Sequence, residues 1–410
     1  MSLAAGRKIL SIPGPTTVPD EVLQAMHRPA IDIYAGELEA ITDTVLKDMR
    51  RVFRTRDAHQ YIYIANGHGA WEAALTNTLS RGDKILVLES GRFAVGWGEM
   101  GAQMGVEVEI LPGRPRGGVD PDAVQTRLRA DAAHEIKAIL VVQIDTASGV
   151  WNDVRAIGEA IRAAGHPALF MVDGIASVGC VPFEQDAWGV DLALTGSQKG
   201  LMTPPGLSFL SVNQRTRDRL ETADLRTRYW DWGFREGELH YEKYCGTPPE
   251  HLLFGLRRAL DMLLEEEGLE AAWARHAHLA AAARAAVERW AEGGVLSINV
   301  LNPAERSDTV TCVLTAPGYS VDALRAFTAQ NLGVTLGSGI GDFTGGAFRI
   351  ATMGHANAPS VMATLSAAEI AFKALGWPHG EGALAAAAAR LADAVAPAAQ
   401  TAQAAQAAAE

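Results

Sequence analysis

The sequence has few cysteines, a deficit of positive charge and no long hydrophobic run. Its 410 residues include three cysteines, none in a CxxC pair, which argues against a disulfide framework or a structural zinc and fits a reducing compartment. Acidic residues outnumber basic ones by 48 to 36, giving a net charge of −12, so no basic surface for nucleic acid or an anionic membrane is expected. No stretch approaches the roughly 20 apolar residues of a membrane span, and the first residues lack the apolar region of a signal peptide. These absences leave a cytoplasmic enzyme as the default expectation.

From residue 60 onward, short apolar runs alternate with helical patterns. Apolar residues at three- and four-residue spacing predict helices over 122–130 and 153–164. Near-continuous apolar strands separated by helices are typical of a mostly parallel sheet covered on both faces. The predicted strands are 61–64, 84–88, 106–110, 136–142, 168–172 and 191–194.

The remainder of the chain has a different pattern. Long helical stretches are predicted over 250–264 and 269–292, followed by a smaller α+β region with strands at 309–314 and 348–350. An Ala-rich tail closes the chain; its first half is expected to be helical, and disorder is expected beyond Pro397 because little there could anchor it. The predicted divisions are an N-terminal segment over 1–20, a large α/β domain over 21–265, a small C-terminal domain over 266–378 and the tail over 379–410.

A single lysine stands in the constrained, apolar stretch "LTGSQKGLMTPPG". Lys199 follows a turn at the end of a predicted strand and has no acidic neighbour in sequence. A surface lysine is the simpler interpretation. The scarcity of charge and the nearby glycines and prolines indicate instead an amine removed from water.

A Gly-rich turn follows the first predicted strand in "IANGHGAWEAAL". It places Asn66, Gly67 and His68 directly before a predicted helix. Glycines let backbone amides approach a phosphate, and a helix N-terminus supplies partial positive charge. A strand-to-helix turn without a ligand is the alternative.

Two further polar positions follow buried strands, at the edge of a parallel sheet where ligands gather. Asp173 ends the strand in "LFMVDGIASVG", where a carboxylate is costly unless it meets a cation or hydrogen-bond donors. A helix cap is the alternative role. Thr146 offers a hydroxyl after the strand in "VVQIDTASGV".

Together these residues match the requirements of pyridoxal phosphate. The phosphate needs amides and hydroxyls, the aldehyde needs a desolvated lysine for a Schiff base, and the pyridine nitrogen needs a carboxylate to stay protonated. Lys199 and Asp173 are about one helix and one strand apart, so they are expected at the ends of neighbouring strands. Phe93 of "SGRFAVGW" is expected to cover the ring.

The chain resembles the class V (fold-type I) pyridoxal-phosphate aminotransferases, specifically the alanine–glyoxylate, serine–glyoxylate and serine–pyruvate group, from Ile12 to about residue 375. "IPGPTTVPDEV" is similar to that group's N-terminal segment, and "NGHGAWEAALTNTLSRGDKILV" to its phosphate loop and helix. "HPALFMVDGIASVG", "TGSQKGLMTPPGL" and "FRIATMG" are similar to its Asp, Lys and Arg segments. The resemblance implies a large domain with a mostly parallel seven-stranded sheet, a smaller α+β domain and a homodimer, or a higher oligomer, with shared active sites.

The resemblance also implies a role for each matched residue. Lys199 is expected to be the Schiff-base lysine, Asp173 the partner of the pyridine nitrogen and Arg349 the holder of the substrate α-carboxylate, which a two-pronged guanidinium suits. Tyr244 and Thr247 of "KYCGTPPEHL" are expected to reach the phosphate of the neighbouring subunit. The other expected cofactor contacts are Asn66, Gly67, His68, Phe93, Thr146, Ile175 and Gln198.

Three segments depart from the group's pattern. The group often has His-Asn-Glu or His-Gly-Glu where this chain has Gln143-Ile144-Asp145, and Asp-His-Arg where it has Asp32-Ile33-Tyr34. The loop "GSGIGDFTGGAFR" also differs. Residues 32–37 and 338–346 are expected to line the substrate side.

The expected function is amino-group transfer from serine, alanine or aspartate to a small oxo-acid, glyoxylate before pyruvate, by a ping-pong mechanism. A pyruvate-accepting aminotransferase with another amine donor and a pyridoxal-phosphate lyase of the same fold are alternatives. A cysteine desulfurase would need a cysteine on a mobile loop, whereas Cys312 lies in an apolar strand pattern. A non-enzymatic scaffold would not explain why lysine, aspartate, arginine and phosphate loop occur together. Neither a metal nor a nucleic-acid or membrane partner is expected.

Overall fold

Strands and helices alternate along the chain in the computed structural model, which describes residues 2–409 and, over 397–409, only the backbone. The strands are β1 (Ile9–Ser11), β2 (His59–Tyr63), β3 (Lys84–Leu88), β4 (Glu107–Leu111), β5 (Ile136–Val142), β6 (Ile144–Asp145), β7 (Val150–Trp151), β8 (Leu169–Asp173), β9 (Leu192–Gly196), β10 (Ser208–Val212), β11 (Leu296–Ile298), β12 (Val310–Thr315), β13 (Val334–Ser338) and β14 (Ala347–Ala351). The α-helices are α1 (Asp20–Met26), α2 (Glu37–Phe53), α3 (Gly67–Thr76), α4 (Arg92–Gln103), α5 (Pro121–Ala130), α6 (Val154–Ala164), α7 (Gln185–Trp188), α8 (Gln214–Arg217), α9 (Trp232–Arg235), α10 (Glu250–Asp261), α11 (Leu269–Ala291), α12 (Val321–Leu332), α13 (Ala358–Leu375) and α14 (Ala383–Ala409).

Strands β2 to β5 and β8 to β10 form a seven-stranded sheet in the order β2-β10-β9-β8-β5-β3-β4. Its strands run parallel except β10, which is antiparallel to both of its neighbours. The predicted mostly parallel seven-stranded sheet is therefore confirmed. The strands predicted from apolar runs match the observed ones within about two residues.

Alternate residues of each strand enter two separate cores, because successive side chains of a strand point to opposite faces. Ile139 and Val141 belong to one core, which also contains residues of α2, α5, α6 and α10. Leu140 and Val142 belong to the other, together with residues of α3 and α4. This two-sided burial explains why the strands read as continuous apolar runs.

A second sheet has the order β1-β13-β14-β12-β11. The N-terminal strand β1 pairs in parallel with β13, a long-range pairing that the sequence pattern did not predict. The tail helix α14 begins at Ala383, which is fully buried in the core beneath this sheet, as is Ala387. The disorder expected beyond Pro397 falls outside the residues whose side chains the structure describes and stays a prediction, as do the predicted domain boundaries.

The carboxyl ends of β5, β8 and β9 lie side by side, since these strands are adjacent and parallel. Ligand sites of parallel sheets lie at this edge. Over residues 2–409, no helix combines the length and apolar character that crossing a membrane requires.

Candidate active site

A cavity of about 280 Å³ opens at the carboxyl edge of the large sheet, close to the usual lower size of a small-molecule site. Nine residues predicted from the sequence line it: Asn66, Gly67, His68, Phe93, Thr146, Asp173, Ile175, Gln198 and Lys199. The rest of its wall consists of Gly14, Pro15, Trp71, Val142, Ile144, Ala176 and Pro205. The loops after β2, β3, β6, β8 and β9 therefore converge on one space.

Lys199 is a buried amine and not a surface lysine, since it is only 9 % exposed. Its ammonium donates a hydrogen bond to the carbonyl of Pro13, and it forms no ion pair with the side chains described over residues 2–396. Burial, reinforced by the positive charge of Arg349 and opposed by Asp173, lowers the pKa of Lys199 to about 8. The neutral, nucleophilic amine is thus accessible near neutral pH.

The N-terminal segment lies directly against this lysine. Gly14 has φ of +100°, and a Cβ there would lie 2.4 Å from Cε of Lys199. Thr16 donates from its backbone amide to the carbonyl of Gln198 at 3.0 Å and from its hydroxyl to the carbonyl of Lys199 at 3.1 Å. Only a glycine at position 14 allows this close approach.

Asp173 is a buried carboxylate with two hydrogen-bond donors and is 3 % exposed. The amide of Ile175 donates to Oδ1 at 2.7 Å, and the indole nitrogen of Trp71 donates to Oδ2 at 2.7 Å. Burial raises the pKa of Asp173 to about 7, although both hydrogen bonds act in the opposite direction. Because turns and no helix follow β8 directly, the helix-cap interpretation is not supported, and the arrangement suits a cationic partner.

The predicted phosphate loop begins helix α3 at the mouth of the cavity. The side-chain oxygen of Asn66 accepts hydrogen bonds from the amides of His68 at 3.1 Å and Gly69 at 3.4 Å, so Asn66 acts as the helix cap. A Cβ on Gly67 would lie 2.2 Å from Cδ1 of Ile175, which is why this helix start can approach the Asp173 loop. The side-chain oxygen of Gln198 is buried without a partner among the described residues.

Asp145 holds the N-terminus of α4. In the sequence it stood out only as part of a segment, Gln143-Ile144-Asp145, that differs from the group's pattern. Its fully buried carboxylate accepts hydrogen bonds from the amides of Phe93 at 2.8 Å and Ala94 at 3.2 Å. Burial raises the pKa of Asp145, while these amides oppose the shift. Asp145 therefore anchors the backbone of Phe93, whose side chain lines the cavity.

Arg349 lies behind the cavity wall and is 8 % exposed. Its Nε donates to the carbonyl of Ser338 at 2.6 Å and its Nη1 to the carbonyl of Thr146 at 2.8 Å. Within the described residues it forms no ion pair and its Nη2 donates to no group, so the alternative pairing with Asp342 is not formed. Burial lowers the pKa of Arg349, but a guanidinium stays charged in proteins.

The structure does not support the expected reach of Tyr244 to a neighbouring subunit. The side chain of Tyr244 is fully buried in its own chain, where its phenol is 2.6 Å from Oγ1 of Thr42 and its ring contacts His240. Leaving this core would expose the ring and break the hydrogen bond. Thr247 is exposed and does not line the cavity of its own chain, so its contact with a neighbour stays a prediction.

The two segments expected on the substrate side also lie elsewhere within this chain. Asp342 and Phe343 line a separate cavity of about 450 Å³, together with Arg92 and Arg114. Tyr34 is 70 % exposed to solvent. Neither segment lines the cavity that contains Lys199.

No cysteine lines this cavity either. Cys180 and Cys312 are buried, and burial raises the pKa of these thiols to about 11 and about 12. The thiol form therefore dominates at both, which does not support a cysteine nucleophile.

Sequence reasoning missed Trp71, Gly14 and the role of Asp145. Trp71 follows Gly67 by four residues, so helical spacing places both on one face of α3, and this signal could have identified it. The contacts of Gly14 and Asp145 join distant parts of the chain, so no local sequence pattern predicts them.

The chain belongs to the class V aminotransferase family, since the family model "Aminotransferase class-V" matches residues 10–348. It is therefore a fold-type I aminotransferase with pyridoxal phosphate as its cofactor. The chain is 39 % identical to serine–glyoxylate aminotransferase of Methylorubrum extorquens, covering 89 % of this chain and 91 % of that one. It is 35 % identical to L-aspartate–glyoxylate aminotransferase of Paracoccus denitrificans, covering 90 % and 91 %. The structure of pyridoxamine–pyruvate aminotransferase from Mesorhizobium loti matches with a TM-score of 0.87 at 28 % identity, covering 95 % and 99 %.

Proposed function

We propose that this enzyme transfers the amino group of a small amino acid (serine, alanine or aspartate) to glyoxylate. The observation that carries the proposal is the presence, in one small cavity, of a buried amine and a buried carboxylate that are not committed to ion pairs among the described residues. The names of the relatives from Methylorubrum and Paracoccus support glyoxylate as the acceptor.

The residues of the cavity fit pyridoxal phosphate. Lys199 supplies an amine, Asp173 an acid for the ring nitrogen, and Phe93 and Ile175 supply apolar contacts for the ring faces. The backbone amides at the N-terminus of α3 suit the phosphate, and the side-chain NH₂ group of Gln198, which lines the same cavity, could supply a further donor. When bound, the cofactor supplies an aldehyde for covalent attachment of an amine and a ring that accepts an electron pair.

Lys199 has two tasks in this proposal: it holds the cofactor and then moves a proton. A pKa of about 8 leaves about a tenth of the amine neutral near pH 7, against less than about one in a thousand for an ordinary lysine. The amine is buried and hydrogen-bonded to the carbonyl of Pro13, so it is held within the cavity, where it could accept and return a proton. Such positioned proton transfer contributes roughly 10²–10⁴-fold to the rate.

Arg349 is proposed to orient the substrate by its α-carboxylate from a position next to the cavity: it does not line the cavity itself, but its partner Thr146 does. Two of its nitrogens are fixed on backbone carbonyls and Nη2 has no partner among the described residues, so the guanidinium is held in one place with donor capacity left. The guanidinium hydrogens that remain can hold a planar carboxylate. The cavity's small volume and apolar wall restrict the side chain of the donor.

The shared-site homodimer expected from the sequence is also part of this proposal, with Thr247 as the residue offered to the neighbour and Tyr244 fixed in its own chain. The cytoplasmic location is kept as a proposal, supported by three free cysteines.

A donor and acceptor panel tests the proposal. Purified enzyme supplied with pyridoxal phosphate should aminate glyoxylate from at least one of serine, alanine and aspartate, and Lys199→Ala should abolish the reaction. Faster amination of pyruvate than of glyoxylate by every donor would favour the pyruvate-accepting alternative. Release of ammonia without amination of an oxo-acid would favour a lyase.

A further inference from the structure

We propose that Trp71 is a positioning residue, which fixes the carboxylate of Asp173 for the cofactor's ring nitrogen through its indole N–H. The inference rests on the proposed function, in which Asp173 pairs with that nitrogen. The contact that carries it is the 2.7 Å hydrogen bond from Nε1 of Trp71 to Oδ2 of Asp173. Both side chains are almost completely buried, at 2 % and 3 % exposure.

The two oxygens of Asp173 have different kinds of donor. Oδ1 accepts from the backbone amide of Ile175 at 2.7 Å, whereas Oδ2 accepts from the side chain of Trp71. Hydrogen bonds to an ionised carboxylate are about twice as strong as neutral ones. One donor on each oxygen fixes the plane of the carboxylate and leaves lone pairs for a cation in the cavity.

Trp71 is itself held rigidly. Its ring is stacked on Trp97 at 6.0 Å between centroids with 14° between planes, and it contacts His68 at 4.6 Å. It stands on α3 one turn after Gly67, at the predicted phosphate loop. One helix therefore sets both the phosphate site and the acid at the other end of the ring.

Trp97 provides a matched control within the same aromatic stack. It is fully buried like Trp71, but its indole nitrogen has no hydrogen-bond partner among the described residues. Changing either tryptophan to phenylalanine removes one ring and one N–H from the same core. Only the change at Trp71 removes a donor from Asp173.

The experiment compares Trp71→Phe with Trp97→Phe, each in the wild-type and the Asp173→Asn backgrounds. Trp71→Phe should weaken cofactor affinity about 10-fold, measured by titrating cofactor-free enzyme, and lower kcat about 10- to 100-fold, with the KM of the donor changed less than about threefold. Because loss of a donor raises the pKa of a carboxylate, the acidic limb of the rate profile should move to higher pH. Trp97→Phe should change each quantity less than about threefold.

In the Asp173→Asn background, Trp71→Phe should lower cofactor affinity and kcat by less than about threefold, because the carboxylate through which Trp71 acts has been removed. Equal effects of the two phenylalanine variants, or an equal loss from Trp71→Phe in both backgrounds, would overturn the inference. If Asp173→Asn alone leaves activity and cofactor affinity unchanged, the proposed role of Asp173 fails, and this inference fails with it.

A measurement on the unaltered protein covers the case in which Trp71→Phe does not fold. In cofactor-free enzyme carrying ¹⁵N-tryptophan, one of the nine indole signals should shift with pH near the pKa of Asp173, about 7. The same signal should lose that titration in Asp173→Asn. No indole signal with this behaviour would overturn the inference.

Discussion

Replacing Lys199 with methionine should make the cofactor-free enzyme more stable at neutral pH. The pKa of this lysine is lowered from 10.5 to about 8 by burial, so the folded chain resists holding a proton that the unfolded chain keeps. The penalty is fully present below about pH 8 and disappears as pH rises toward 10.5. A pKa shift of this size lowers the free energy of unfolding of the wild type by about 3 kcal/mol at pH 7 and by roughly 1 kcal/mol at pH 10. Methionine retains most of the unbranched stem and removes the charge.

Urea unfolding of both proteins at pH 7 and pH 10 measures this effect. The methionine variant loses the hydrogen bond to the carbonyl of Pro13, which offsets the gain by about 1 kcal/mol at either pH. The stability advantage of the variant should therefore shrink by about 2 kcal/mol from pH 7 to pH 10. Lys373→Met, at a lysine 67 % exposed, should change stability by less than about 0.5 kcal/mol at both values. If Lys199→Met changes the free energy of unfolding by the same amount at pH 7 and at pH 10, the lowered pKa of a buried Lys199 amine would be refuted.

Three further substitutions test the other parts of the site. Asp173→Asn should retain some cofactor but lose most activity, since an amide cannot hold the ring nitrogen protonated; activity assays and cofactor absorbance check this. Arg349→Lys should raise KM for both donor and oxo-acid by a factor equivalent to about 1.5–3 kcal/mol, seen in steady-state kinetics. It should also lower the melting temperature, because the carbonyls of Ser338 and Thr146 lose a donor. Tyr244→Phe should lower stability by about 1–2 kcal/mol in urea unfolding without changing cofactor affinity, since its phenol bonds within its own chain.

The large sheet and most of the cavity could be predicted because their signals are local. Apolar runs of β5, β8 and β9 are continuous since both faces are buried, and the cavity residues follow directly from the ends of such strands. Pairing of β1 with β13 joins residues more than 300 positions apart and leaves no periodic pattern in either segment. Strand β1 has only three residues, too short to show alternation.

The parts of the site that the sequence missed depend on contacts between distant segments. In the sequence, Gly14 has the pattern of an ordinary turn residue, and only the structure shows that it lies against Lys199. Tyr244 was matched by its spacing to a proline, but its burial against Thr42 depends on where α2 packs. The spacing of a motif shows which residues match a family position. Burial and hydrogen bonding in the fold decide where each of those side chains points.

The measurement that tests the central claim most directly is a half-reaction on purified enzyme loaded with pyridoxal phosphate. Serine, alanine or aspartate added without an oxo-acid should change the cofactor's absorbance once per active site and release one equivalent of the matching oxo-acid. Glyoxylate added afterwards should restore the original spectrum and appear as glycine, and Lys199→Ala should show neither change. An unchanged spectrum with all three donors, or a change that glyoxylate does not reverse, would contradict the account.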